Sequence, residues 1–358
     1  IETGMRDGAF GLSSGLKYIP GAYSDTNEVI ELAKVAGQYD GIYISHMREE
    51  GLDLIKSVRE TIRIGEEADL PSQITHHKVV GVDMWGASLA TLALVDAANS
   101  RGVDVSIDQY PYTASSTGIS VLFPAWSLAG TKQERQARLR DPETRARIKE
   151  GIISNLIHDR GGNDPARVAI ANCEWDTSLN GKNFAEILKE RGQTVDMSMA
   201  AELAMEIQEN GGCFGVFHAM SEEDVSRIMQ HPRTMIASDG GIHIPGEGVP
   251  HPRNYGTFSR VLAHYVRETH TISTGEAIYK MSKWPAQRIG LQDRGRIQVG
   301  AIADIASMDL DTVQDHADFD NPHQYSSGVL HVLVNGEWVL RDGQMTGKRP
   351  GRTLRSGQ

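Results

Sequence analysis

Two histidine motifs in the first 80 residues carry side chains suited to metal chemistry. Residues 42–46 (IYISH) form a short apolar, β-branched run that ends in His46, and Ile74-Thr75 is followed by His76, His77 and Lys78. Imidazole nitrogens are common ligands of zinc and similar divalent ions. A single histidine in such a place is more often satisfied by a local hydrogen bond. Two of them at matching positions favour a shared metal ion.

The sequence between the motifs indicates how they would be brought together. Leu52, Ile55, Val58 and Ile62 recur at helical spacing. Strand, helix and strand within about 30 residues are typical of a βαβ unit with parallel strands. Because neighbouring parallel strands end at the same edge, we expect His46 and His76 to meet there, within reach of one ion.

The same β-then-α rhythm continues along the first third of the chain. Asp25 and Glu28 predict a capping box at the start of a helix, residues 88–98 predict another helix, and residues 103–110 predict a strand. The fold class is therefore α/β, with a parallel sheet covered by helices. An open doubly wound sheet and a closed barrel both agree with this pattern, and both place the site at the carboxyl ends of the strands.

Two segments depart from this rhythm. Residues 113–165 are too long for a simple crossover and predict an insertion, which we interpret as a lid or substrate-side subdomain. From about residue 292 the chain alternates in strand fashion around Asn335-Gly336, which predicts a hairpin in a separate small β unit. We therefore expect two domains, 1–291 and 292–358.

Further polar side chains follow apolar runs that resemble strands. These are Asp108, Tyr110, His218 and Asp239. Asp-Gly is also a common turn, but beside histidines the Asp239 carboxylate could bind a metal and act as the general base. Tyr110 or Tyr112 could donate to an oxyanion, although packing is the simpler role for each.

Arg253 lies in a loop rich in proline and glycine shortly after Asp239. A surface position is the usual case for arginine. Near a metal, however, its planar guanidinium could hold a substrate carboxylate through two hydrogen bonds.

Composition excludes several classes of protein. The formal charge of −11 over 358 residues argues against nucleic-acid binding, and no run of about 18 apolar residues is present. No glycine-rich phosphate loop follows a predicted strand. Because the only two cysteines are Cys173 and Cys213, we expect no disulfide and a cytoplasmic location. The first residue is Ile1, and we expect the sequence to begin partway through a fold.

The order of several motifs resembles the N-acyl-D-amino-acid deacylases, or D-aminoacylases, of the amidohydrolase superfamily. The motifs are SHMREE (45–50), ITHHK (74–78), DQYPYTASST (108–117), ASDGG (237–241) and HPRNYGTFSRVL (251–262), and GRIQVGAIADI near the C-terminus. The resemblance implies a (β/α)8 barrel of the TIM type with a small β-sandwich. It also implies zinc-dependent hydrolysis of small-molecule N-acyl-D-amino acids to a carboxylate and a free D-amino acid.

The resemblance also implies roles for individual residues. His46 and His76, rather than His77, would bind zinc on the fifth and sixth barrel strands, and Asp239 on the eighth would be a metal ligand and the general base. Tyr110 would contact the oxyanion. The implied substrate-binding residues are Lys78, Tyr112, Ser115, Ser116 and Arg253.

One part of the family pattern is missing from this sequence. Family members carry a His-x-His pair and a Gly-Asn-Cys-Gly stretch upstream of the segment that matches GAFGLSSGL at 8–16. We therefore expect one or two zinc ions with further ligands upstream of Ile1, supplied by a complementary N-terminal piece, or else an inactive fragment. A cyclic-amide hydrolase of the dihydroorotase or hydantoinase kind is a second alternative. The absence of a lysine within residues 11–16 disfavours it, since those enzymes carry a metal-bridging carboxylated lysine there.

Overall fold

The computed structural model describes residues 1–357, and a five-stranded parallel sheet forms its centre. The strands, in chain order, are β1 (Gly11–Gly15), β2 (Ile42–His46), β3 (Ser72–Ile74), β4 (Val105–Gln109), β5 (Ser115–Gly118), β6 (Val168–Asn172), β7 (Phe214–Phe217), β8 (Thr234–Ile236), β9 (Ile305–Met308), β10 (Val329–Val334), β11 (Glu337–Arg341) and β12 (Gln344–Met345). The central sheet has the order β1-β2-β3-β4-β8, and every pairing in it is parallel. Its order follows the chain without reversal, as in a barrel, whereas a doubly wound sheet reverses at a switch point.

Helices alternate with these strands. In chain order they are α1 (Glu2–Arg6), α2 (Thr26–Gly37), α3 (Leu54–Ala68), α4 (Ser88–Ser100), α5 (Lys132–Arg140), α6 (Pro142–His158), α7 (Phe184–Glu190), α8 (Met197–Glu209), α9 (Glu222–Gln230), α10 (Arg253–Arg260), α11 (Thr274–Ile278) and α12 (Trp284–Arg288). Residues Val261–Glu268 and Tyr279–Lys283 are π-helical continuations of α10 and α11.

Helix α3 joins β2 to β3 as the βαβ prediction requires, although it begins at Leu54, and Leu52 of the predicted apolar set lies before it and is 58% exposed. Leu54, Val58 and Ile62 lie on one face of the helix and pack with Ile74 and Ile107 of the sheet in one apolar cluster. Periodic apolar residues of this kind bury one stripe of a helix against a sheet. The burial fixes β2 and β3 side by side, with their carboxyl ends at the same edge.

The segment after β4 forms a packing unit of its own. Strands β5, β7 and β6 form a separate antiparallel sheet, and helices α5 to α8 cover it with a core drawn from residues 119–217. The chain enters this unit at Thr113 and leaves it at Met220. These two residues lie side by side, and the Met220 amide donates a hydrogen bond to the Thr113 carbonyl at 3.2 Å. The insertion predicted at 113–165 thus packs as one body with the residues up to 217, while the predicted domain division stays a prediction.

The C-terminal region is a four-stranded antiparallel sheet in the order β12-β11-β10-β9. Asn335 and Gly336, with φ angles of 50° and 78°, join β10 to β11 in the predicted two-residue hairpin. The strand alternation predicted from about residue 292 was wrong at its start, because the first strand that the structure describes beyond that point is Ile305–Met308. Gly295 and Gly300 have positive φ angles and turn the chain before it.

The prediction for the two cysteines was also wrong. Cys173 follows β6 and Cys213 precedes β7, and because these strands pair antiparallel the two Cα atoms lie 4.5 Å apart and the residues form a disulfide. The cytoplasmic location expected from the cysteine count stays a prediction. None of the helices in the described part of the chain combines the length and the apolar surface that crossing a bilayer needs.

Candidate metal centre and active site

The two histidine motifs converge as their spacing predicts. His46 ends β2, His76 follows β3, and the distance from His46 Nδ1 to His76 Nε2 is 2.7 Å. The two ring centroids are 4.4 Å apart. Both imidazoles therefore lie at the same edge of the sheet, within reach of one ion.

Asp108 at the end of β4 fixes the orientation of His76. Its buried carboxylate accepts hydrogen bonds from Gln73 Nε2 at 2.5 Å, from Thr75 Oγ1 at 3.0 Å and from the His76 backbone amide at 2.6 Å. These contacts hold His76 at a φ angle of 38°, a left-handed conformation that costs a residue other than glycine about 1–3 kcal/mol. The turn sends the side chain of His76 toward His46.

His77 points into the protein interior. Its Nε2 lies 2.9 Å from Thr91 Oγ1 on α4, and burial lowers the pKa of His77 to about 3. A neutral buried imidazole bonded to a hydroxyl is a structural group. The geometry therefore supports His76 over His77 as the candidate ligand.

A buried ionic group lies directly behind the histidines. Lys78 Nζ is 2.5 Å from Glu50 Oε1, and Arg160 Nη2 is 2.5 Å from Glu50 Oε2. Burial would raise the pKa of Glu50, but the charges of Lys78 and Arg160 outweigh it and hold that pKa well below its usual range. Burial lowers the pKa of Lys78, against the attraction of Glu50.

Sequence reasoning missed Glu50 and Arg160. Glu50 is within the SHMREE motif, four residues after His46, but it follows the strand in a loop with no periodicity to indicate burial. Arg160 lies beyond α6 in the segment interpreted as a lid. Only the fold brings its guanidinium to Glu50 and, at 2.9 Å, to Ser115 Oγ.

A cavity of about 220 Å³ opens in front of these groups. It is lined by Tyr18, His46, His76, Lys78, Tyr110, Ser115, Ser116, Thr117, Arg160, Asp239 and Arg253. Most of the residues predicted from the sequence are therefore in one place. Tyr18 was not predicted; its ring centroid is 4.7 Å from that of His46, and its hydroxyl lies 2.9 Å from Thr117 Oγ1.

Asp239 and Arg253 form an ion pair with each other in the lining of this cavity. Arg253 Nη1 is 2.8 Å from Asp239 Oδ2, and the guanidinium lies over the Tyr110 ring, 4.8 Å from its centroid. The Tyr110 hydroxyl is buried and has no hydrogen-bond partner within residues 1–357. Burial raises the pKa of Tyr110, so the phenol keeps its proton and can donate a hydrogen bond to a substrate oxygen.

Two predicted residues lie elsewhere. The Tyr112 hydroxyl is 3.4 Å from the Pro252 carbonyl, and its ring packs on His251 outside the cavity. His218 was wrongly grouped with the residues at the ends of the parallel strands. It follows β7, which belongs to the antiparallel sheet, and its ring packs on Phe319 with centroids 4.6 Å apart.

The donor set suits a divalent ion. His46 Nε2 is buried without a hydrogen-bond partner in the described chain, and ligand atoms of His46, His76 and Glu50 lie within 4.8 Å of one another. Both oxygens of Glu50 are already paired with cations, so the imidazoles are the freer ligands. Two nitrogens with a carboxylate nearby match the preference of zinc.

The charges around the cavity favour an anionic ligand. Of the residues that line the cavity, Lys78, Arg160 and Arg253 are cationic and Asp239 is anionic, and the carboxylates of Glu50 and Asp108 lie behind the lining. Burial lowers the pKa of His46 to about 2, so this imidazole is neutral. The lining itself therefore carries more cationic than anionic side chains.

Comparison with known proteins agrees with this geometry. A model described as the amidohydrolase family matches residues 128–340, more than half of the chain. The chain belongs to the amidohydrolase family. The parallel sheet is accordingly part of a TIM-type barrel, and the C-terminal antiparallel sheet is the β-sandwich-like part.

Several relatives are deacylases of D-amino acids. The chain is 36% identical over 353 residues to a D-aminoacylase of Alcaligenes xylosoxydans xylosoxydans, covering 99% of this chain and 63% of that protein. It is 36% identical to an N-acyl-D-glutamate deacylase and 32% identical to an N-acyl-D-aspartate deacylase of the same organism. The chain thus spans less than two thirds of the length of these curated relatives.

Solved structures give the same result. An N-acyl-D-glutamate deacylase from Bordetella bronchiseptica, complexed with zinc and a phosphonate mimic of the tetrahedral intermediate, superposes with a TM-score of 0.81 at 33% identity, covering 99% of this chain and 64% of that one. A D-aminoacylase structure gives a TM-score of 0.78 at 34% identity, covering 97% of this chain and 63% of that one. An L-hydantoinase, at 14% identity and a TM-score of 0.51, shares the fold alone.

Proposed function

We propose that this chain carries the site of a zinc-dependent hydrolase that cleaves the amide bond of N-acyl-D-amino acids to a carboxylate and a free D-amino acid. The observation that supports this most strongly is the convergence of His46, His76, Asp239 and Arg253 on one cavity. The relatives named as deacylases support the substrate class and the preference for D-amino acids.

His46 and His76 would hold the ion, and a divalent ion supplies Lewis acidity to a carbonyl group and to a water molecule. Arg253 would bind the α-carboxylate of the substrate, since its guanidinium faces the cavity and its present partner is a carboxylate. A bound substrate carboxylate would compete with Asp239 for this guanidinium. Asp239 would then be free to accept a proton from the attacking water.

The remaining lining residues would orient the substrate. Tyr110, a buried phenol without a partner in the described structure, would donate to the oxygen that becomes negatively charged. Lys78 would add positive charge near the same oxygen or the carboxylate. Ser115 lines the cavity with its hydroxyl held by Arg160, and Ser116 lines it with its hydroxyl bonded to the Gly215 carbonyl at 2.9 Å.

Asp239→Asn tests the general-base role. Asparagine keeps an oxygen for Arg253 but cannot take up a proton at neutral pH, so kcat on N-acetyl-D-amino acids should fall by about 10²–10⁴-fold. Asp96→Asn is the matched control, since Asp96 is an exposed carboxylate bonded to His231. Turnover of the Asp239 variant near that of the parent, with zinc bound, would remove Asp239 from this role.

The substrate class and the metal are tested with the parent protein. Activity should appear on N-acetyl-D-amino acids, be much weaker on the L-enantiomers, disappear with a chelator and return with zinc. Equal activity after complete removal of metal contradicts the proposal. Hydrolysis of hydantoin in place of the linear amide would favour the cyclic-amide alternative, and no zinc binding would favour the inactive-fragment alternative.

A further inference from the structure

We propose that Arg160 is a positioning residue that turns the hydroxyl proton of Ser115 toward the substrate, so that Ser115 donates a hydrogen bond to the carboxylate held by Arg253. The inference rests on the proposed function, because it concerns the carboxylate of the same substrate. It gives Ser115 and Ser116, which the sequence grouped together as substrate-binding residues, different roles. Arg160 would act through Ser115 and not by contact with the substrate.

The contact between Arg160 and Ser115 is the first step. Arg160 Nη1 donates to Ser115 Oγ at 2.9 Å, and Ser115 makes no other side-chain hydrogen bond within residues 1–357. A guanidinium group carries only donors, so Ser115 Oγ accepts in this contact and its own proton is left unused. Because Ser115 is buried and lines the cavity, an oxygen atom bound there could accept that proton.

Ser116 shows the opposite arrangement. Its Oγ donates to the Gly215 carbonyl at 2.9 Å, since a carbonyl oxygen can only accept. The proton of Ser116 is thus already used within the small antiparallel sheet, and only lone pairs of this hydroxyl remain for a ligand. A carboxylate requires donors, so of the two serines Ser115 is the one suited to it.

The position of Arg253 indicates which group of the substrate Ser115 would meet. Arg253 Nη2 donates to the Ser116 backbone carbonyl at 3.4 Å, so the guanidinium that would hold the substrate carboxylate lies against β5, next to Ser115. The Nε groups of Arg160 and Arg253 are also buried without an acceptor in the described chain. This wall of the cavity therefore contains unused donors, which an anionic group could satisfy.

Glu50 fixes Arg160 in the required orientation. Arg160 is 2% exposed, and its Nη2 bonds to Glu50 Oε2 at 2.5 Å while its Nη1 bonds to Ser115. Because both terminal nitrogens are engaged, the guanidinium cannot turn away from Ser115 without losing its bond to a buried carboxylate. A lysine could supply the charge but not two bonds in the fixed directions of the planar fork.

A double-mutant cycle of Ser115→Ala and Arg160→Lys tests the inference. Ser115→Ala removes a hydrogen bond to a charged group, so KM for N-acetyl-D-amino acids should rise by about 10–100-fold while kcat changes by less than about threefold. KM for the matching carboxamide should stay the same. Arg160→Lys keeps a positive charge beside Glu50 but should raise the same KM. In the Ser115→Ala background its effect should be at least about threefold smaller, because the hydroxyl through which it acts is absent.

Ser127→Ala and Arg138→Lys are the matched controls in the same insertion. Ser127 is a buried serine whose Oγ donates to the Pro124 carbonyl at 2.7 Å, and Arg138 donates to the Ser127 carbonyl at 2.8 Å. Neither residue lines the cavity. Their KM values should therefore stay within about twofold of the parent, and thermal unfolding would show that each variant is folded.

Three results would overturn the inference and leave the proposed function intact, provided that the parent hydrolyses the substrate. These are an unchanged KM in Ser115→Ala, a larger rise in KM for Ser116→Ala than for Ser115→Ala, and independent effects of the Ser115 and Arg160 changes. An equal rise for the acid and the carboxamide would also contradict it, because the lost contact would not be to the carboxylate. A parent that hydrolyses no N-acetyl-D-amino acid would refute the proposed function first, and this inference with it.

Discussion

Replacing Asp108 with asparagine should disturb the metal centre although Asp108 itself does not line the cavity. The Asp108 carboxylate accepts three hydrogen bonds, from Gln73, Thr75 and the backbone of His76. Asparagine has almost the same shape, and its carbonyl oxygen can still accept from Thr75 and His76. The new amide group would face the amide nitrogen of Gln73, and two donors would then meet. The Gln73 side chain can rotate so that its carbonyl oxygen accepts from the new amide. Its nitrogen would then face Ser106 Oγ, which now lies 3.3 Å from the Gln73 carbonyl oxygen.

The expected cost comes mainly from the lost charge. A hydrogen bond to a charged group contributes about 1 kcal/mol more than one between neutral groups, so three of them give a loss of about 3 kcal/mol in the free energy of unfolding. Zinc affinity should also fall by about tenfold, because the left-handed backbone of His76 is no longer held as firmly.

Denaturant unfolding and zinc competition measure the two effects. Asp104→Asn is the control, because Asp104 lies just before the same strand but is itself exposed; it pairs with Arg233 at 3.5 Å and with the mostly buried Arg288 at 2.8 Å. Its loss should be about 1 kcal/mol, well below that of Asp108→Asn. An Asp108→Asn protein within about 0.5 kcal/mol of the parent, with unchanged zinc affinity, would refute this account of how His76 is held.

Three further predictions concern the cavity and its surroundings. Tyr110→Phe removes a buried hydroxyl that has no partner within residues 1–357. Thermal stability should be unchanged or higher, while kcat should fall by about 10²–10³-fold. Loss of stability without loss of kcat would instead make Tyr110 a packing residue. Arg253→Met should raise KM for N-acetyl-D-amino acids by about 10–100-fold, yet leave hydrolysis of a matching amide without the carboxylate unchanged, and an equal effect on both substrates would contradict carboxylate binding. Burial holds the pKa of His251 well below its usual value of 6.5. Below about pH 6 the unfolded chain therefore takes up a proton that the folded chain does not. The free energy of unfolding should then fall by up to about 1.4 kcal/mol for each pH unit. His251→Gln should lose that part of the acid dependence in unfolding measured from pH 7 to pH 5, and an unchanged slope would assign it to other groups.

The central sheet was predictable because its information is local. Strands β2 and β4 lie in short apolar runs, helix α3 has a periodic apolar face, and parallel strands joined by helices must end at the same edge. His46 and His76 could therefore be brought together from the sequence. The resemblance to the deacylases selected a barrel over an open sheet, and the unreversed strand order agrees with it.

The residues that sequence reasoning missed depend on contacts between distant segments. Phe214–Phe217 has the apolar character of a central strand, and nothing within it shows that its partners are the antiparallel strands β5 and β6. Arg160 contacts Glu50 across a separation of 110 residues. Pairing of this kind is set by packing of the whole chain, so a local pattern cannot specify it.

The insertion enters and leaves the barrel at two residues that are hydrogen-bonded to each other, Thr113 and Met220. It has its own apolar core within residues 119–217, yet it reaches the cavity through side chains such as Ser115 and Arg160. Such a segment can be exchanged between related barrels as a cassette without rerouting the chain. Substrate range could thereby diverge while the histidine-bearing strands stay the same, provided that each replacement cassette again supplies a cation to Glu50.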